Sequence, residues 1–502
     1  MEGLGAAIAP WLDGCRWFAG GRPRVERAIE LTGPWPATVL WLVVAAGGTR
    51  YNVPVVVDGA RVVDAAGEPS GQRAILALAC ASEPIAARGF VSRQAAGGLP
   101  AMTEAWRLDG EQSNTSIVYL LADSSRVIVK IFRVAEPGAN PDIALQRILS
   151  DTGTVPRVHG WVRLTEDDAA STPGKDGGAS TPGGFDVAIA QEFLAGASDG
   201  WRVVTARLSN AGPDGAPVAR APEPRADGTA RQDGTPHKDR AGRTRGRAAP
   251  GDLRSITRLG GLTRRIHRHL AQRCPTSAPD AAARHDIAAA WSRRAERTLA
   301  IFPQLEPWRA TIERTYARAL DATWPHLQAI HGDFHLGQVL SVPGRGWVAI
   351  DFEGEPLRPL AERTTPDLAL RDVAGMLRSF GYAAGSAKLR GADPAAMDAW
   401  EAAARSAFLE GYNSPEGFGP AAEGHGPPEG YSAPSPAGGA LLDALILDKA
   451  LYELAYEASR RPDWIPIPLL GVARLLAIGD TQCERLLTDV DVSHLTAQPM
   501  EE

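Results

Sequence analysis

Cysteine is scarce in this sequence, with four residues in a chain of 502. They lie far apart and never in a CxxC spacing, at Cys15, Cys80, Cys274 and Cys483. Structural zinc sites and disulfide frameworks rely on closely spaced or regularly patterned cysteines. The sequence therefore gives no indication of either, and we expect reduced, mostly buried thiols.

The sequence also lacks a long apolar run and an excess of one charge. TVLWLVVAAGG at residues 38–48 is shorter than the roughly 20 residues that a membrane-spanning helix needs. With 53 Lys and Arg against 59 Asp and Glu, the net charge is −6, which gives no reason to expect a nucleic acid or an anionic membrane as partner. The opening MEGLGAAIAPWLDG has neither the basic region nor the cleavage site of a secretory signal. We therefore expect a cytoplasmic protein that binds neither nucleic acid nor membrane.

Hydrophobic residues make up 44% of the chain, which together with its length predicts a large core divided into two or three units. Gly, Pro, Ala, Ser, Asp and Arg dominate three segments, at residues 166–184, 209–252 and 413–439. Such segments bury too little apolar surface to offset the entropy lost on ordering, so we expect disordered insertions. The basic run HKDRAGRTRGR at 237–247 has no interleaved aromatic residues, which favours a solvated loop over a nucleic-acid arm.

Strand patterns occupy the first part of the chain, and helical patterns occupy most of the rest. β-Branched runs bounded by glycine predict strands at 39–44 and 51–57, and SIVYLLAD followed by RVIVKIFR predicts a hairpin with its turn at Ser124 and Ser125. Apolar residues spaced three and four apart predict helices at Ser255–Ala271, Pro307–Ile330 and Leu441–Ser459. A small β-rich part is thus followed by a large helical part.

Lys130 lies inside the apolar strand RVIVKIF, where alternation places it on the face opposite Val127, Val129 and Ile131. One interpretation is a lysine at the strand edge that extends its ammonium to water. The other is a clamp for nucleotide phosphates, for which the upstream loop LDGEQSNTS could supply backbone N–H groups. That loop has a single glycine, Gly110, and does not match a glycine-rich phosphate loop.

The stretch IHGDFHLGQVLSVPGRGWVAIDFEGEP, residues 330–356, carries the strongest chemical pattern. Gln338 leads into a short strand and Asp351 ends the next one, so a hairpin brings an amide and a carboxylate together. Such hard oxygen ligands suit Mg²⁺, which takes its remaining ligands from water and phosphates. Asp333 then lies where it can accept or orient the proton of an attacking hydroxyl.

Two other interpretations of this stretch remain. His331, Asp333 and His335 could bind a transition metal, but Gly332 favours a loop over the helix that this spacing needs, and further ligands are not in obvious register. The aspartates could also be turn residues that cap backbone groups. A role in a turn would explain either Asp333 or Asp351 alone. It does not readily explain why both aspartates occur at these fixed distances from Gln338.

These residues resemble those of a known family, the actinobacterial maltokinases, which are distant relatives of aminoglycoside phosphotransferases and of protein kinases. HGDFH and IDFE are typical of the wider phosphotransferase superfamily, and the block that ends in RPDWIPIPL narrows the resemblance to maltokinases. Further similar segments are CRWFAGG, GEQSNTS, VKIFR, NPDIALQRIL, AIAQEFLAGASDGWRV and RDVAGMLRSFGYAA.

The resemblance implies an α+β, bilobal, protein-kinase-like fold of the aminoglycoside phosphotransferase type. Residues 1–95 would form a β-rich N-terminal cap, 96–200 a kinase-like N-lobe with its hinge, and 201–502 a helical C-lobe. The implied cofactors are ATP and Mg²⁺. The implied reaction transfers the γ-phosphoryl group to the anomeric hydroxyl of maltose, which gives maltose 1-phosphate for α-glucan synthesis.

The resemblance also implies a role for individual residues. Asp333 would be the catalytic base, and the magnesium ligands would be Gln338, Asp351 and Glu353. Lys130 would hold the nucleotide phosphates under a flexible loop of Ser113, Asn114, Thr115 and Ser116. The adenine would meet a hinge of Gln191, Glu192 and Phe193. The sugar would be bound by His335, Arg378, Tyr452, Tyr456 and Trp464.

The sequence departs from the family pattern at the partner of the lysine. Ala144 stands where an acid is expected in the helix after VKIFR, and Asp142 is the residue that could compensate. Near the start, Gly21 and Arg22 replace an expected lysine, which concerns the cap and not the chemistry. The departure at Ala144 leaves open a nucleotide-binding protein without catalysis.

A glucosamine or aminoglycoside kinase of the same fold is the nearest alternative to a maltokinase. An amino substrate requires additional carboxylates in the groove, for which Asp367, Glu453 and Glu457 are candidates.

Overall fold

The computed structural model of the chain describes residues 2–80, 90–94, 99–108, 113–165, 184–210, 252–355, 358–414 and 439–479, with 482, 485 and 486. Apart from their outermost residues, the three expected insertions lie outside these ranges. Among the described helices, none is both long and apolar enough to cross a membrane.

An antiparallel sheet of four strands forms the N-terminal part. It follows helix α1 (Glu2–Leu12) and consists of β1 (Arg24–Glu30), β2 (Thr38–Ala46), β3 (Thr49–Asp58) and β4 (Arg61–Asp64) in sequential order. The two β-branched runs form β2 and β3, as predicted. Helix α2 (Pro69–Ala79) then leads towards the second sheet.

The second sheet has six strands in the order β5-β9-β10-β8-β7-β6. Its strands are β5 (Phe90–Gln94), β6 (Met102–Arg107), β7 (Asn114–Leu121), β8 (Arg126–Phe132), β9 (Val158–Thr165) and β10 (Gly184–Glu192), with helix α3 (Pro141–Leu149) after β8. The predicted hairpin is the β7–β8 pair, and Ser124 turns it with a φ of 66°. Strand β5 precedes the proposed boundary at residue 95, yet it pairs with β9 in this sheet.

Buried Arg133 joins the two sheets. Its Nη2 donates to Asp64 at 2.6 Å and its Nε donates to the Thr115 hydroxyl at 2.8 Å. Asn52 of β3 donates to the Phe132 carbonyl at 2.8 Å. A hydrophobic cluster that includes Trp41 and Tyr119 is continuous between the sheets, so the cap packs directly on the second sheet.

Helices dominate the remaining part of the chain, together with a small sheet. The helices are α4 (Gly200–Asn210), α5 (Leu253–Arg273), α6 (Ala281–Ile301), α7 (Arg309–Leu320), α8 (Leu360–Arg363), α9 (Leu370–Leu389), α10 (Pro394–Asn413), α11 (Ala440–Arg460) and α12 (Pro466–Leu475). The small antiparallel sheet consists of β11 (Ser198–Asp199), β12 (Val339–Val342) and β13 (Gly346–Ala349). The predicted bilobal α+β architecture is confirmed.

The helix predicted over Pro307–Ile330 is too long. Helix α7 ends at Leu320, and Leu327 instead pairs with Ser277 through two backbone hydrogen bonds of 2.9 and 3.0 Å. Pro325 lacks an N–H and clashes with a preceding helical turn, so the apolar periodicity beyond it belongs to an extended segment. This segment leads directly into the candidate catalytic loop.

Candidate active site

Lys130 lies at the centre of three carboxylates between the second sheet and the helical lobe. Its Nζ is 3.1 Å from Asp142, 2.8 Å from Asp351 and 2.5 Å from Glu353. Burial alone would lower the pKa of this ammonium, but the three carboxylates outweigh burial and raise it well above its ordinary value. Lys130 is therefore a permanently charged group within the fold and not an edge lysine that extends to water.

Asp142 takes the place left open by Ala144. It is in the first turn of α3, and its Oδ2 faces Lys130 while its Oδ1 accepts from Gln146 at 2.5 Å and from the Phe352 N–H at 2.7 Å. This one buried carboxylate thus connects the β8 lysine to the loop after β13. The departure at Ala144 does not leave the lysine without an acid.

The predicted phosphate loop over Ser113–Ser116 is wrong for three of its four residues. Asn114, Thr115 and Ser116 are in β7, where Ser116 pairs with Lys130. Thr115 is buried and accepts from Arg133, so its hydroxyl is already occupied. Asn114 does reach the site, since its Nδ2 donates to Glu353 at 2.8 Å. The preceding residues 109–112 of the predicted loop lie outside the described residues.

The β12–β13 hairpin brings Gln338 and Asp351 together, as the sequence predicted. Gln338 Nε2 donates to Asp351 Oδ2 at 3.2 Å, and the Ile350 N–H donates to the Gln338 carbonyl at 3.0 Å. Asp351 has a φ of 64°, a left-handed conformation that costs a non-glycine residue about 1–2 kcal/mol. The fold therefore maintains a strained backbone in order to direct this carboxylate at Lys130 and Gln338.

A divalent cation fits the outer side of this cluster. Oxygen atoms of Asp142, Asp351 and Glu353 lie within 4.8 Å of one another. Asp142 is almost fully buried, whereas the Asp351 and Glu353 side chains retain 35% and 25% exposure. Hard oxygens that remain accessible suit Mg²⁺, so the donor set available to the ion is Asp351, Glu353 and the Gln338 amide.

The two accessible carboxylates have different electrostatic surroundings. Burial opposes ionisation of Asp351, but Lys130 outweighs it and lowers the pKa of this carboxyl. For Glu353, burial prevails over the attraction of Lys130 and raises the pKa to about 7, helped by the nearby charges of Asp351 and Asp142. An additional cation near Glu353 would relieve this repulsion between like charges.

Asp333 contacts a lysine to which the sequence analysis assigned no role. Lys449 of α11 lies 3.0 Å from Asp333 and 2.6 Å from Glu355. Burial would raise the pKa of Asp333, but Lys449, assisted by His335, lowers it well below its ordinary value. Asp333 is thus ionised and oriented. The only sequence signal for Lys449 was its polarity inside the apolar pattern of α11.

Asp372 of α9 stabilises the loop that carries Asp333 through hydrogen bonds to its backbone. Asp372 accepts from the His331 and Gly332 N–H groups, both at 2.9 Å, and lies 2.9 Å from His267 Nε2. His331 Nε2 lies 2.9 Å from the Ile350 carbonyl, which can only accept, so this nitrogen is the protonated one. His331 therefore has a structural role, and the transition-metal interpretation fails.

The residues predicted as a hinge lie at the end of β10. The N–H groups of Glu192 and Phe193 are already occupied, since they donate to Arg157 and Arg126 at 2.8 and 3.1 Å. Gln191 is buried, and its side chain donates to Gln146, which in turn contacts Asp142. Within the described part of the chain, nothing accepts from the N–H of Leu194, the residue that follows the predicted hinge.

The predicted acceptor residues gather around one face of α11. Tyr452 and Tyr456 stack with ring centroids 6.3 Å apart, and the Lys449 ammonium lies 5.0 Å from the Tyr452 ring centroid. His335 Nε2 is 3.7 Å from Asp333. The Arg378 guanidinium is already bound within the protein, because its Nε donates to Glu453 of α11 at 2.8 Å.

Aromatic rings and a second glutamate continue this groove. Trp464 lies between Trp201 and Tyr382, with ring centroids 6.2 and 6.4 Å away. Tyr382 donates to Glu457, which also pairs with Arg461 at 2.6 Å. All three acids considered for an amino substrate therefore pair with arginines, Glu453 with Arg378, Glu457 with Arg461, and Asp367 with Arg371 and Arg358. Of the three, Glu453 and Glu457 are on α11, beside the groove.

Comparison with families and curated proteins places this chain among phosphotransferases. The model described as "Phosphotransferase enzyme family" matches residues 105–413. A glucosamine kinase from Streptacidiphilus jiangxiensis is 27% identical over 486 residues, which cover 90% of this chain and 94% of that protein. A glucosamine kinase from Mycolicibacterium smegmatis is 28% identical over 303 residues, which cover 58% of this chain and 63% of that protein.

Solved structures support the same fold. The structure of a glucosamine kinase in complex with glucosamine, ADP and inorganic phosphate superposes with a TM-score of 0.64 at 23% identity. The superposition covers 94% of this chain and 98% of that chain. The two chains therefore share one fold over nearly their full lengths.

Proposed function

The chain belongs to the phosphotransferase enzyme family, and on that premise we propose that it transfers the γ-phosphoryl group of ATP to a hydroxyl of glucosamine. Phosphoryl transfer is mostly a matter of positioning and charge neutralisation. The described site contains groups for both tasks, with Lys130 and the acids on one side and Asp333 with Lys449 on the other.

On the nucleotide side, Lys130 binds the phosphates and the outer carboxylates bind the metal. Asp351, Glu353 and Gln338 would hold Mg²⁺, which when bound neutralises charge on the β- and γ-phosphates. Asp142 orients Lys130 and, through the Phe352 N–H, also the loop that carries Asp351. The Leu194 N–H is the proposed donor to the adenine.

On the acceptor side, Asp333 orients the attacking hydroxyl and receives its proton as the new bond to phosphorus forms. A carboxylate with a depressed pKa is a weak base before the transfer begins, so its contribution is greatest once the hydroxyl has become acidic. Lys449 keeps this carboxylate ionised and limits its rotation.

The observation that favours an amino sugar is the arrangement of acids along one face of α11. The Lys449 ammonium already lies between two carboxylates, Asp333 and Glu355. Glu453 and Glu457 follow at one-turn intervals on the same helix, where they pair with Arg378 and Arg461 and where Tyr382 donates to Glu457. Aromatic faces suit a sugar ring and nearby carboxylates suit its ammonium group.

The names of the relatives favour the same acceptor. Two similar proteins are named glucosamine kinases, which supports the alternative considered in the sequence analysis over maltose. A nucleotide-binding protein without catalysis was considered because of Ala144, and the Lys130–Asp142 pair removes that reason.

Initial rates with Mg·ATP and a matched set of acceptors test the proposal. Glucosamine, N-acetylglucosamine, glucose and maltose separate the contribution of the ammonium group from that of the ring. We expect the highest kcat/KM for glucosamine, with a loss of at least about tenfold for glucose and N-acetylglucosamine, which corresponds to about 1.4 kcal/mol. Faster turnover of maltose would restore the original assignment, and no phosphorylated product from any of the four would refute the proposed function.

A further inference from the structure

A second cavity, of about 480 Å³, lies in the helical lobe between α9, α10, α11 and α12. Its volume is within the range of small-molecule sites. It includes none of the groups that contact Lys130 or Asp333. Arg378 is the one residue of the predicted acceptor set that lines it.

The charged lining of this cavity has an excess of positive charge. Four basic and two acidic side chains face it, namely Arg378, Lys388, Arg405, Arg474, Asp398 and Glu401. Asp398 pairs with Lys388 at 2.5 Å and with Arg474, and Glu401 accepts from Arg474 at 3.2 Å. Arg405 has only the more distant contact with Glu401, at 3.8 Å. Arg378 is matched by Glu453, which does not line the cavity, so Arg405 is the lining cation with the most distant acidic partner.

One nitrogen of the Arg378 guanidinium, Nη1, lies on the side that faces the cavity. Its Nε and Nη2 both lie 2.8 Å from the same Glu453 oxygen, and its side chain is 5% exposed. Nη1 lies against Gly471, where a Cβ atom would be only 2.1 Å away. Among the described residues no hydrogen bond from Nη1 is found, since the contacts with Glu453 are made by Nε and Nη2. A guanidinium nitrogen that has no acceptor within the protein can donate to a ligand in the cavity.

Arg405 supports the same interpretation from the other wall. Burial lowers the pKa of its guanidinium, and the nearby charges of Arg378 and Arg474 act in the same direction, whereas Glu401 and Asp443 oppose them without restoring the ordinary value. Repulsion between neighbouring cations is relieved by an anion placed between them. The opposite side of the cavity is apolar, with Ile446, Ile467 and Leu470.

We propose that this cavity binds a small phosphorylated metabolite, with its phosphate between Arg378 and Arg405 and its carbon body against the apolar wall. Arginine is suited to this role because its planar fork matches phosphate oxygens. This site would be separate from the Lys130 cluster, where we propose that the nucleotide binds.

The position of Arg378 connects this cavity to the candidate acceptor groove. The same guanidinium that faces the cavity holds Glu453, and the charge of Glu453 acts on Lys449, the partner of Asp333. A phosphate at Nη1 would compete with Glu453 for Arg378 and so alter the acceptor side. This regulatory part of the inference rests on the proposed function, whereas binding to the cavity does not.

Calorimetric titration of the intact chain tests the binding. Glucose 6-phosphate, inorganic phosphate and glucose are the probes, and saturating Mg·ADP keeps them from the phosphate region near Lys130. We expect glucose 6-phosphate to bind more tightly than either inorganic phosphate or glucose. Equal affinity for glucose and glucose 6-phosphate would overturn the proposal, and equal affinity for inorganic phosphate would overturn the assignment of an organic ligand.

Substitutions locate the binding within the molecule. Arg405→Gln should weaken glucose 6-phosphate at least about tenfold, because a charge-assisted contact is lost. Arg405→Lys should retain part of the affinity. Arg297→Gln, on the exposed side of α6, is the matched control for loss of one positive charge and should change nothing. Equal losses in Arg405→Gln and Arg297→Gln would refute the site.

A kinetic measurement tests the connection to the groove separately. Glucose 6-phosphate should change the KM for the acceptor at least about threefold while the KM for ATP stays constant, and Arg405→Gln should abolish this effect. Binding without any kinetic effect would overturn the coupling through Arg378. A chain that binds the probe but phosphorylates no sugar would refute the proposed function and leave the binding site intact.

Discussion

Lys449 and Asp333 form a direct ion pair of 3.0 Å although 116 positions separate them in the chain. One residue is on the long helix α11 and the other is in the loop before β12. The pair fixes the charge and direction of the carboxylate that we propose as the acceptor of the hydroxyl proton.

Asp333→Asn should reduce kcat by about 10²–10⁴-fold, because the amide cannot receive the hydroxyl proton. The KM for ATP should change little, since Asp333 does not contact the Lys130 cluster directly. Steady-state rates with both substrates varied measure this difference. If the variant kept half of the wild-type kcat, Asp333 would not be the base.

Lys449→Met should move the acid limb of the pH–rate profile upwards. In the wild type, Lys449 lowers the pKa of Asp333, so the carboxylate stays ionised well below neutral pH. Without the ammonium, burial and Glu355 favour the protonated form, and activity should then fall as the pH decreases through the raised pKa. Lys449→Arg is the control that keeps the charge, and an unchanged profile in Lys449→Met would contradict this role.

Asp142→Ala should raise the KM for ATP and lower kcat/KM for ATP by at least about tenfold, because Lys130 loses a buried partner. The double variant Asp142→Ala with Ala144→Glu should not recover the wild-type value. A glutamate at 144 would supply charge, but it would not reproduce the hydrogen bond from the Phe352 N–H. Full recovery in the double variant would show that only the charge matters, and Ala144→Glu alone serves as the control.

Asp351→Asn should lower kcat at least about a hundredfold even at saturating Mg²⁺, because a metal ligand is lost. Chelation of the wild type with EDTA should have the same effect, and added Mg²⁺ should reverse it only in the wild type. Thermal unfolding should show that the variant is folded. Near wild-type turnover of Asp351→Asn would remove the metal assignment.

The free energy of unfolding should decrease as the pH falls from 7 to 4, because the folded protein disfavours protonation of His269 in α5. Burial and the adjacent Arg268 and Arg273 lower its pKa to about 4. Because the unfolded chain binds this proton first, near pH 6.5, the stability supplied by the neutral ring is present above that pH and lost below it. His269→Gln should remove this dependence, which we put at about 1 kcal/mol after discounting for solvent exposure of the ring.

Urea unfolding at several pH values between 7 and 4 measures this effect. His285→Gln, at an exposed position of α6, is the control for loss of a histidine. Parallel pH curves for the wild type and His269→Gln would contradict the prediction.

Contacts between neighbours in the chain were predictable. The alternation of RVIVKIF placed Lys130 on one face of its strand, and the short spacing between Gln338 and Asp351 required a hairpin. Both features appear in the structure. Where a polar segment continues directly into a strand, as at Asn114–Ser116, spacing could not show where the loop ends. The same is true of α7, whose periodicity continued past Pro325.

By itself the sequence determined the lysine strand and the hairpin that joins an amide to an acid, because these depend on local periodicity and on short loops. The kinase-like fold was implied by the resemblance of its motifs to a known family. Only the tertiary structure decided that Asp142 takes the place of the missing acid at 144, that Lys449 meets Asp333, and that Arg378 faces a second cavity. Each of these three relationships depends on how separate elements pack. The rotation and depth of a packed helix follow from all the residues in the core, and no spacing within one segment encodes them.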